Sequence, residues 1–247
     1  MARGGRSARV ADLSWAVRTE GRSLWSRNAV PGVAVRGERL KRRRGEEWRQ
    51  WSPRRSKLAA GLLRSGGDKG FLLPEPGATT LYLGAGHGTT ISYLHDHLCG
   101  AQNERRGCIV AVDISPRCMR DLVRLAEVRP GLVPVLADAR DLQAIAPFLP
   151  GRVPWLFQDV SQAGQGDMHI SAAQRFLAPN GLSLLSLKSA SERSEHGGRG
   201  TPRDHYEHAR AALTDAGAEV LEVIELTGWE EQHALIVSRM PGEWGKT

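Results

Sequence analysis

The chain is short of cysteine. Cys99, Cys108 and Cys118 are its three thiols. Their spacing fits no zinc-binding pattern, and three cysteines do not make a disulfide-built scaffold. No metal is expected, and the thiols read as reduced, which points to a cytoplasmic setting. Long apolar runs are missing as well. No stretch reaches about 18 apolar residues, so no segment reads as a bilayer span and no membrane partner is expected. Met1 to Arg9 is basic but has no apolar core, which excludes a secretory signal and leaves a flexible basic tail. Acidic side chains are scarce early in the chain. Residues 1–70 carry 18 Lys+Arg against 6 Asp+Glu, whereas residues 71–247 carry 16 against 21. The net charge of +7 therefore resides in the first quarter. Such asymmetry suggests a polyanion partner, nucleic acid before membrane; a basic tail without function is the alternative.

What is present is a globular composition. Hydrophobic residues make up 40% and charged residues 25%, which excludes disorder for the chain as a whole. Residues 10–54 read as a small β domain. Leu24 to Val30 and Val33 to Leu40 are expected strands about a Pro31-Gly32 turn. Trp15, Trp25, Trp48 and Trp51 anchor the segment. The run Lys41-Arg42-Arg43-Arg44 is expected on a hairpin between strands, as a solvated loop or a phosphate contact.

From residue 55 to 247 the texture changes. A short helix over Lys57 to Leu63 precedes an alternation of apolar runs and helices. The runs are Thr80 to Leu83, Cys108 to Val112, Val133 to Leu136, Trp155 to Phe157 and Gly181 to Leu187. Val220 to Leu226 and His233 to Ser238 close the chain without a helix between them. This is an α/β pattern: a mostly parallel sheet covered on both faces, ending in a hairpin that carries an antiparallel strand. The Ser-, Gly- and Arg-rich stretch Ser189 to Arg203 reads as the mobile part of this half.

The chemistry-bearing positions fall at strand ends. Leu83 leads into Gly84-Ala85-Gly86-His87-Gly88-Thr89-Thr90 and then a helix. Glycines let the backbone approach a ligand, and the helix start offers free N–H groups. The spacing departs from the dinucleotide fingerprint, because the third glycine follows the second by two positions. It fits the loop that cradles the amino-acid end of S-adenosylmethionine, with a plain tight turn as the alternative. Asp113 ends the next strand, placed for ribose hydroxyls. Asp138, followed by Ala139, ends the one after, placed for an adenine amine. Each acid could instead cap a helix. Asp159 and Lys188 end two further strands. A lysine closing an apolar run implies a partner for its ammonium. With Lys57 and His233 they form a polar set.

These residues carry a resemblance to the fibrillarin family in its short archaeal form. The matching stretches are Asn28-Ala29-Val30-Pro31-Gly32, Gly37-Glu38-Arg39, Gly45-Glu46-Glu47, Arg55-Ser56-Lys57-Leu58, Tyr82-Leu83-Gly84 with Gly88-Thr89-Thr90, Asp138-Ala139, and Asp159-Val160-Ser161-Gln162. The glycine- and arginine-rich tail of the eukaryotic members is absent. The resemblance implies a small β domain before a class I, Rossmann-like methyltransferase sheet. It implies S-adenosyl-L-methionine held around Gly84, Gly86, Gly88, Thr89, Thr90, Asp113, Ile114, Asp138, Ala139, Asp159 and Gln162. It implies Lys57, Asp159, Lys188 and His233 as the catalytic set for 2′-O-methylation of rRNA or tRNA. It implies a C/D-box guide RNA, a Nop-domain scaffold protein and a kink-turn-binding protein as partners. A stand-alone RNA or protein-glutamine methyltransferase, or a non-catalytic RNA-binding scaffold, are the competing readings.

Several positions depart from the family pattern. Gly86-His87 stands where a small residue and Ser or Asn are usual, so His87 is expected either to crowd the methionine end or to face solvent. Gln232-His233 replaces Asp-His, and Gly228-Trp229 replaces Pro-Tyr. Asp113 replaces Glu. Ala163 to His169 carries Gly164 and Gly166 where a helix should begin. The expected chemistry is in-line transfer to a ribose 2′-hydroxyl. Lys188 would serve as base or alkoxide-stabilising cation, Asp159 would orient it, and Lys57 and His233 would hold the oxygen or a phosphate.

Overall fold

The computed structural model describes residues 9–192 and 200–242. Most of the basic tail expected at residues 1–9, and the middle of the stretch expected to be mobile, lie outside the described residues. The N-terminal part is a five-stranded antiparallel sheet. Its strands are β1 (Val10–Asp12), β2 (Val17–Glu20), β3 (Ser23–Arg27), β4 (Leu40–Arg43) and β5 (Glu46–Trp51), in the order β1-β2-β3-β5-β4. Two expectations need correction here. Val33 to Leu40 is not a strand: the chain between β3 and β4 is turns, with Gly32 and Gly37 at positive φ. Glu38 takes the backbone N–H groups of Val35 and Arg36 at 3.0 and 2.7 Å, which removes them from any ladder. The basic run is also not a loop. Lys41 to Arg43 are strand residues paired with β5, and the hairpin turn is Arg44-Gly45.

The second sheet has seven strands: β6 (Thr79–Leu83), β7 (Cys108–Asp113), β8 (Leu132–Leu136), β9 (Val153–Gln158), β10 (Leu177–Lys188), β11 (Glu219–Glu225) and β12 (His233–Arg239). Their order is β11-β12-β10-β9-β6-β7-β8, and β12 alone runs against the rest. The helices are α1 (Lys57–Arg64), α2 (Thr89–Leu98), α3 (Pro116–Glu127), α4 (Leu142–Ile145), α5 (Gln165–Phe176), α6 (Ser189–Glu192) and α7 (Pro202–Asp215). The central strands are apolar on both faces, as a covered parallel sheet requires; Leu81, Leu83, Val110, Val112, Leu156 and Phe157 are fully buried. No helix among the described residues is long and apolar enough to cross a membrane.

Strand order reverses at β6. The chain winds to β7 and β8 on one side, then returns to β9 and β10 on the other. Such a switch point opens a crevice at the carboxyl ends of the strands. Helix starts reinforce this edge. Ser56 caps α1 by accepting from Ala59 N, and Ser115 caps α3 by accepting from Cys118 N.

The two sheets share one apolar core. Val17, Leu24 and Trp51 pack in the same cluster as Leu58, Ile91, Leu94 and Leu235. Trp51 stacks on Tyr93 of α2 with ring centroids 4.9 Å apart. A fully buried ionic knot lies beside this stack. Asp96 of α2 forms an ion pair with Arg49, whose Nε lies 2.8 Å from Oδ2, and accepts from Arg129 Nη1 at 2.6 Å; Arg49 also reaches Glu38 at 2.7 Å. The five-stranded sheet is thereby fixed against the helix whose first turn belongs to the glycine loop.

Candidate active site and cofactor cleft

A cleft of about 330 Å³ opens at the carboxyl edge, at the switch point. Gly84, Gly86, Asp113, Ile114, Ala139, Asp159 and Gln162 line it together with Val112, Ala137, Val160 and Ser161. Gly84 needs its hydrogen: φ is +81°, and a Cβ would meet the Asp159 carbonyl at 2.4 Å. Gly86, at φ +55°, has nothing within 4 Å of where its Cβ would stand. A side chain there would project into open space, so this glycine makes a bare cradle wall. Ile114 is 54% exposed, a large apolar side chain on the rim that a flat ring would cover. Glycine cradle, apolar walls and carboxylate rim together suit a nucleoside joined to a charged amino-acid group.

The remaining expected cofactor residues stand outside this lining. Gly88 is the N-cap of α2 at φ +80°, and Thr89 and Thr90 open the helix. Thr89 Oγ1 accepts from Arg36 Nε at 3.2 Å, and Thr90 Oγ1 donates to Ser56 Oγ at 3.0 Å. Asp138 is turned to Arg140, which reaches it at 2.6 Å. Hydrogen bonds from the Arg140 side chain and backbone hold the Asp138 carboxyl below its usual range. Asp113 already organises the loop. Its Oδ2 accepts from Gly86 N at 2.7 Å and its Oδ1 from Ser115 N at 2.9 Å. Each oxygen keeps a further lone pair for a ligand hydroxyl. His87 neither lines the cleft nor stands free: its Nδ1 lies 2.8 Å from Asp121 Oδ2.

The four expected catalytic residues stand on the same edge of the sheet, in two pairs. Asp159 follows β9, and its N–H is held by the Leu83 carbonyl at 2.8 Å. Lys57, the first residue of α1, places Nζ 3.0 Å from Asp159 Oδ1 and 3.1 Å from Oδ2. Lys188 ends β10 directly opposite His233, the first residue of β12. His233 Nδ1 lies 2.9 Å from the Glu231 carbonyl. A carbonyl only accepts, so Nδ1 carries the proton and Nε2 is the other functional nitrogen. Asp159 is thus bonded to Lys57, where sequence reasoning pairs it with Lys188. Gln232 holds a left-handed φ of +59° just before His233 and gives its carbonyl to Ser189 N at 2.9 Å. Asp tolerates that conformation better than Gln, so this departure from the family pattern costs stability.

Sequence reasoning missed Gln165. Strand β9 stops pairing at Gln158, opposite Leu185, so the following residues of β10 have no neighbour strand on that side. The Gln165 amide fills the gap. Its Oε1 accepts from Lys188 N at 3.0 Å, and its Nε2 donates to Lys188 O at 3.4 Å. The side chain is fully buried and substitutes for a strand at the lysine. Gly164, left-handed at φ +71°, is the N-cap that starts α5 there, which accounts for that glycine; nothing in the structure explains Gly166.

The family model for fibrillarin matches residues 8–242. A fibrillarin-like rRNA/tRNA 2′-O-methyltransferase of Methanopyrus kandleri is 35% identical over 229 residues, which is 92% of this chain and 93% of that protein. A solved Aeropyrum pernix fibrillarin with natively bound S-adenosyl-L-methionine aligns at TM-score 0.78 and 32% identity, covering 94% of this chain and 99% of that one. A solved fibrillarin–Nop5p complex aligns at TM-score 0.76 and 25% identity, covering 92% and 97%. A shared methyltransferase core would account for the seven-stranded sheet alone. The match instead runs from β1 to β12, through the five-stranded sheet and the catalytic edge alike, and so the chain belongs to the fibrillarin family.

Proposed function

We propose that this chain methylates the 2′-oxygen of ribose in rRNA or tRNA, with S-adenosyl-L-methionine as donor. The observation that carries the reading is the Lys57–Asp159 pair at the glycine-walled cleft, with Lys188 and His233 paired across neighbouring strands at the same sheet edge. The cofactor, when bound, supplies an electrophilic methyl group on sulfur. Gly84 and Gly86 would flank its amino-acid end, Asp113 its ribose, and Ile114 and Ala139 its base. Asp138 joins this set only if its carboxyl turns from Arg140.

The residues' task is to deliver a poor nucleophile in line with that methyl. Lys188 would act on the 2′-hydroxyl through Nζ, as the base that takes its proton or as the cation beside the developing alkoxide. Its backbone is held by Gln165, which fixes where Nζ can reach. Asp159, which lines the cleft, holds the Lys57 ammonium 3.0 Å away, where it would offset charge developing on the oxygen. His233 can hold the adjacent phosphate.

Chain assembly follows the same reading. A C/D-box guide RNA, a Nop-domain scaffold and a kink-turn-binding protein would choose the nucleotide, so no base-reading element is required. The basic first quarter supplies sequence-independent phosphate contacts. A groove of about 470 Å³ on the five-stranded sheet supports this role; Arg18, Arg27, Arg43, Arg44, Trp15 and Trp48 line it, with Asp12 and Glu46 as counter-charges. The domains are proposed as residues 10–54 and 55–247, and the setting as cytoplasmic. The deciding experiment is guide-dependent methylation of a model RNA with labelled cofactor in the reconstituted particle. The label should appear on one ribose and should vanish when the guide is omitted. Label on a protein side chain, or transfer that ignores the guide, would overturn the reading.

A further inference from the structure

The glycine loop is held differently at its two ends. Its first half is tied to β7 by backbone: Gly84 N and Ala85 N both reach the Val112 carbonyl at 2.9 Å. Gly86 N reaches Asp113. Its second half, His87 to Thr89, makes no backbone bond to β7 among the described residues; Gly88 N instead closes a turn on the Ala85 carbonyl at 3.1 Å. With Gly84, Gly86 and Gly88 all at positive φ, this is a stretch of high intrinsic freedom, costly to order.

Side chains from outside the loop take over the second half. Arg36, in the turns between β3 and β4, donates from Nη2 to the His87 carbonyl and from Nε to Thr89 Oγ1. Asp121 of α3 accepts from His87 Nδ1 at 2.8 Å and lies 3.8 Å from Arg36 Nη2. The His87 hydrogen bond holds the Asp121 carboxyl below its usual range. Arg36 is itself set in place. Glu38 accepts from its backbone N–H at 2.7 Å, the buried Arg49 fixes Glu38, and Arg55 donates to the Arg36 carbonyl at 2.8 Å.

We infer that Arg36, His87 and Asp121 form a clasp that orders the glycine loop for the amino-acid end of the cofactor. The N-terminal part of the chain thereby contributes to cofactor affinity through Arg36, in the turns between β3 and β4, although none of its residues lines the cleft. The three are positioning residues. They act on how much order the loop must gain on binding, a cost that preorganisation removes. The inference rests on the reading that this cleft binds S-adenosylmethionine.

Calorimetry on the full chain tests it with two probes: S-adenosylmethionine, and methylthioadenosine, which lacks the amino-acid group. Arg36→Met and Asp121→Ala should each weaken S-adenosylmethionine by about tenfold and leave methylthioadenosine unchanged. The double variant should lose little more than either single one, because one clasp is broken once. The rate at saturating cofactor in the assembled particle should stay near wild type. Asp121 is a surface residue of α3, so its variant keeps the test valid if Arg36→Met fails to fold. Unchanged S-adenosylmethionine affinity, equal loss for both probes, or a fall in kcat alone would overturn the clasp. A wild-type protein that binds neither probe would overturn the cofactor reading itself.

Discussion

Lys57 and Asp159 stand 102 positions apart in sequence and 3.0 Å apart in space. The contact joins the first turn of α1 to the end of β9. Both side chains are about four-fifths buried, at 21% and 18% exposure. Removing Asp159 therefore leaves a largely buried ammonium without its partner and unfixes its position. Asp159→Ala and Lys57→Ala should each slow single-turnover methylation by about 10²-fold or more. Cofactor affinity should fall further for Asp159→Ala, since only Asp159 lines the cleft. Near-wild-type rates in the assembled particle would remove the pair from the chemistry.

Gln165 bears on the rate through Lys188. Replacing it with Leu keeps the buried volume similar but removes both contacts to the Lys188 backbone. Small misplacements of a reacting group are costly, so kcat should fall by about 10- to 100-fold. The KM for RNA should hold, because Gln165 is buried and touches no substrate. A raised KM with kcat intact would mean that Gln165 shapes the RNA surface instead.

What could be read from the sequence was set by range. The strand–helix alternation was legible because each parallel strand is a short apolar run that ends at a polar residue. Asp113, Asp138, Asp159 and Lys188 were legible for the same reason. The pairing of Asp159 with Lys57 and of Lys188 with His233 was not, because it depends on tertiary packing and strand register. Val33 to Leu40 misled because Val33, Val35 and Leu40 have strand-forming side chains. The outcome there was decided by Gly37 and by the grip of Glu38 on two N–H groups. His87 was ambiguous for want of a partner 34 positions away. Gln165 had one weak signal, an amide set among the apolar positions of the buried face of α5.

The knot at Asp96 predicts a large stability effect. Asp96, Arg49 and Arg129 have fully buried side chains, and one carboxylate faces two guanidiniums. Burial pushes the Arg129 guanidinium down, and Asp96 is what opposes this. Asp96→Asn would leave both arginines without that charge, at a cost of roughly 3–5 kcal/mol. The exposed pair Arg203–Glu225 offers the contrast, with side chains 79% and 39% accessible. Glu225→Gln should cost less than about 1 kcal/mol. Urea denaturation of the two variants measures the difference. Equal small losses would mean that the knot contributes nothing beyond packing.

Acid should weaken the fold through two buried histidines. Burial lowers His97 to about 4, partly offset by its contact with the Pro74 carbonyl, and lowers His169 to about 3. In the unfolded chain both titrate near the ordinary value of about 6.5. Between those values the unfolded state binds more protons than the native state, so unfolding free energy falls as pH falls. The stability is complete above about 6.5 and drains away toward 4 for His97 and 3 for His169. His97 alone accounts for on the order of 3 kcal/mol over that window. His169 is the better probe. Neither of its ring nitrogens has a hydrogen-bond partner among the described residues, so an apolar replacement of similar size loses no bond. His169→Leu should match or exceed wild-type stability at pH 7 and should lose less on acidification. The comparison belongs between pH 6.5 and about 4.5, above the range where carboxylates dominate. Parallel stability curves for the two proteins across that range would show that His169 is not held neutral by the fold.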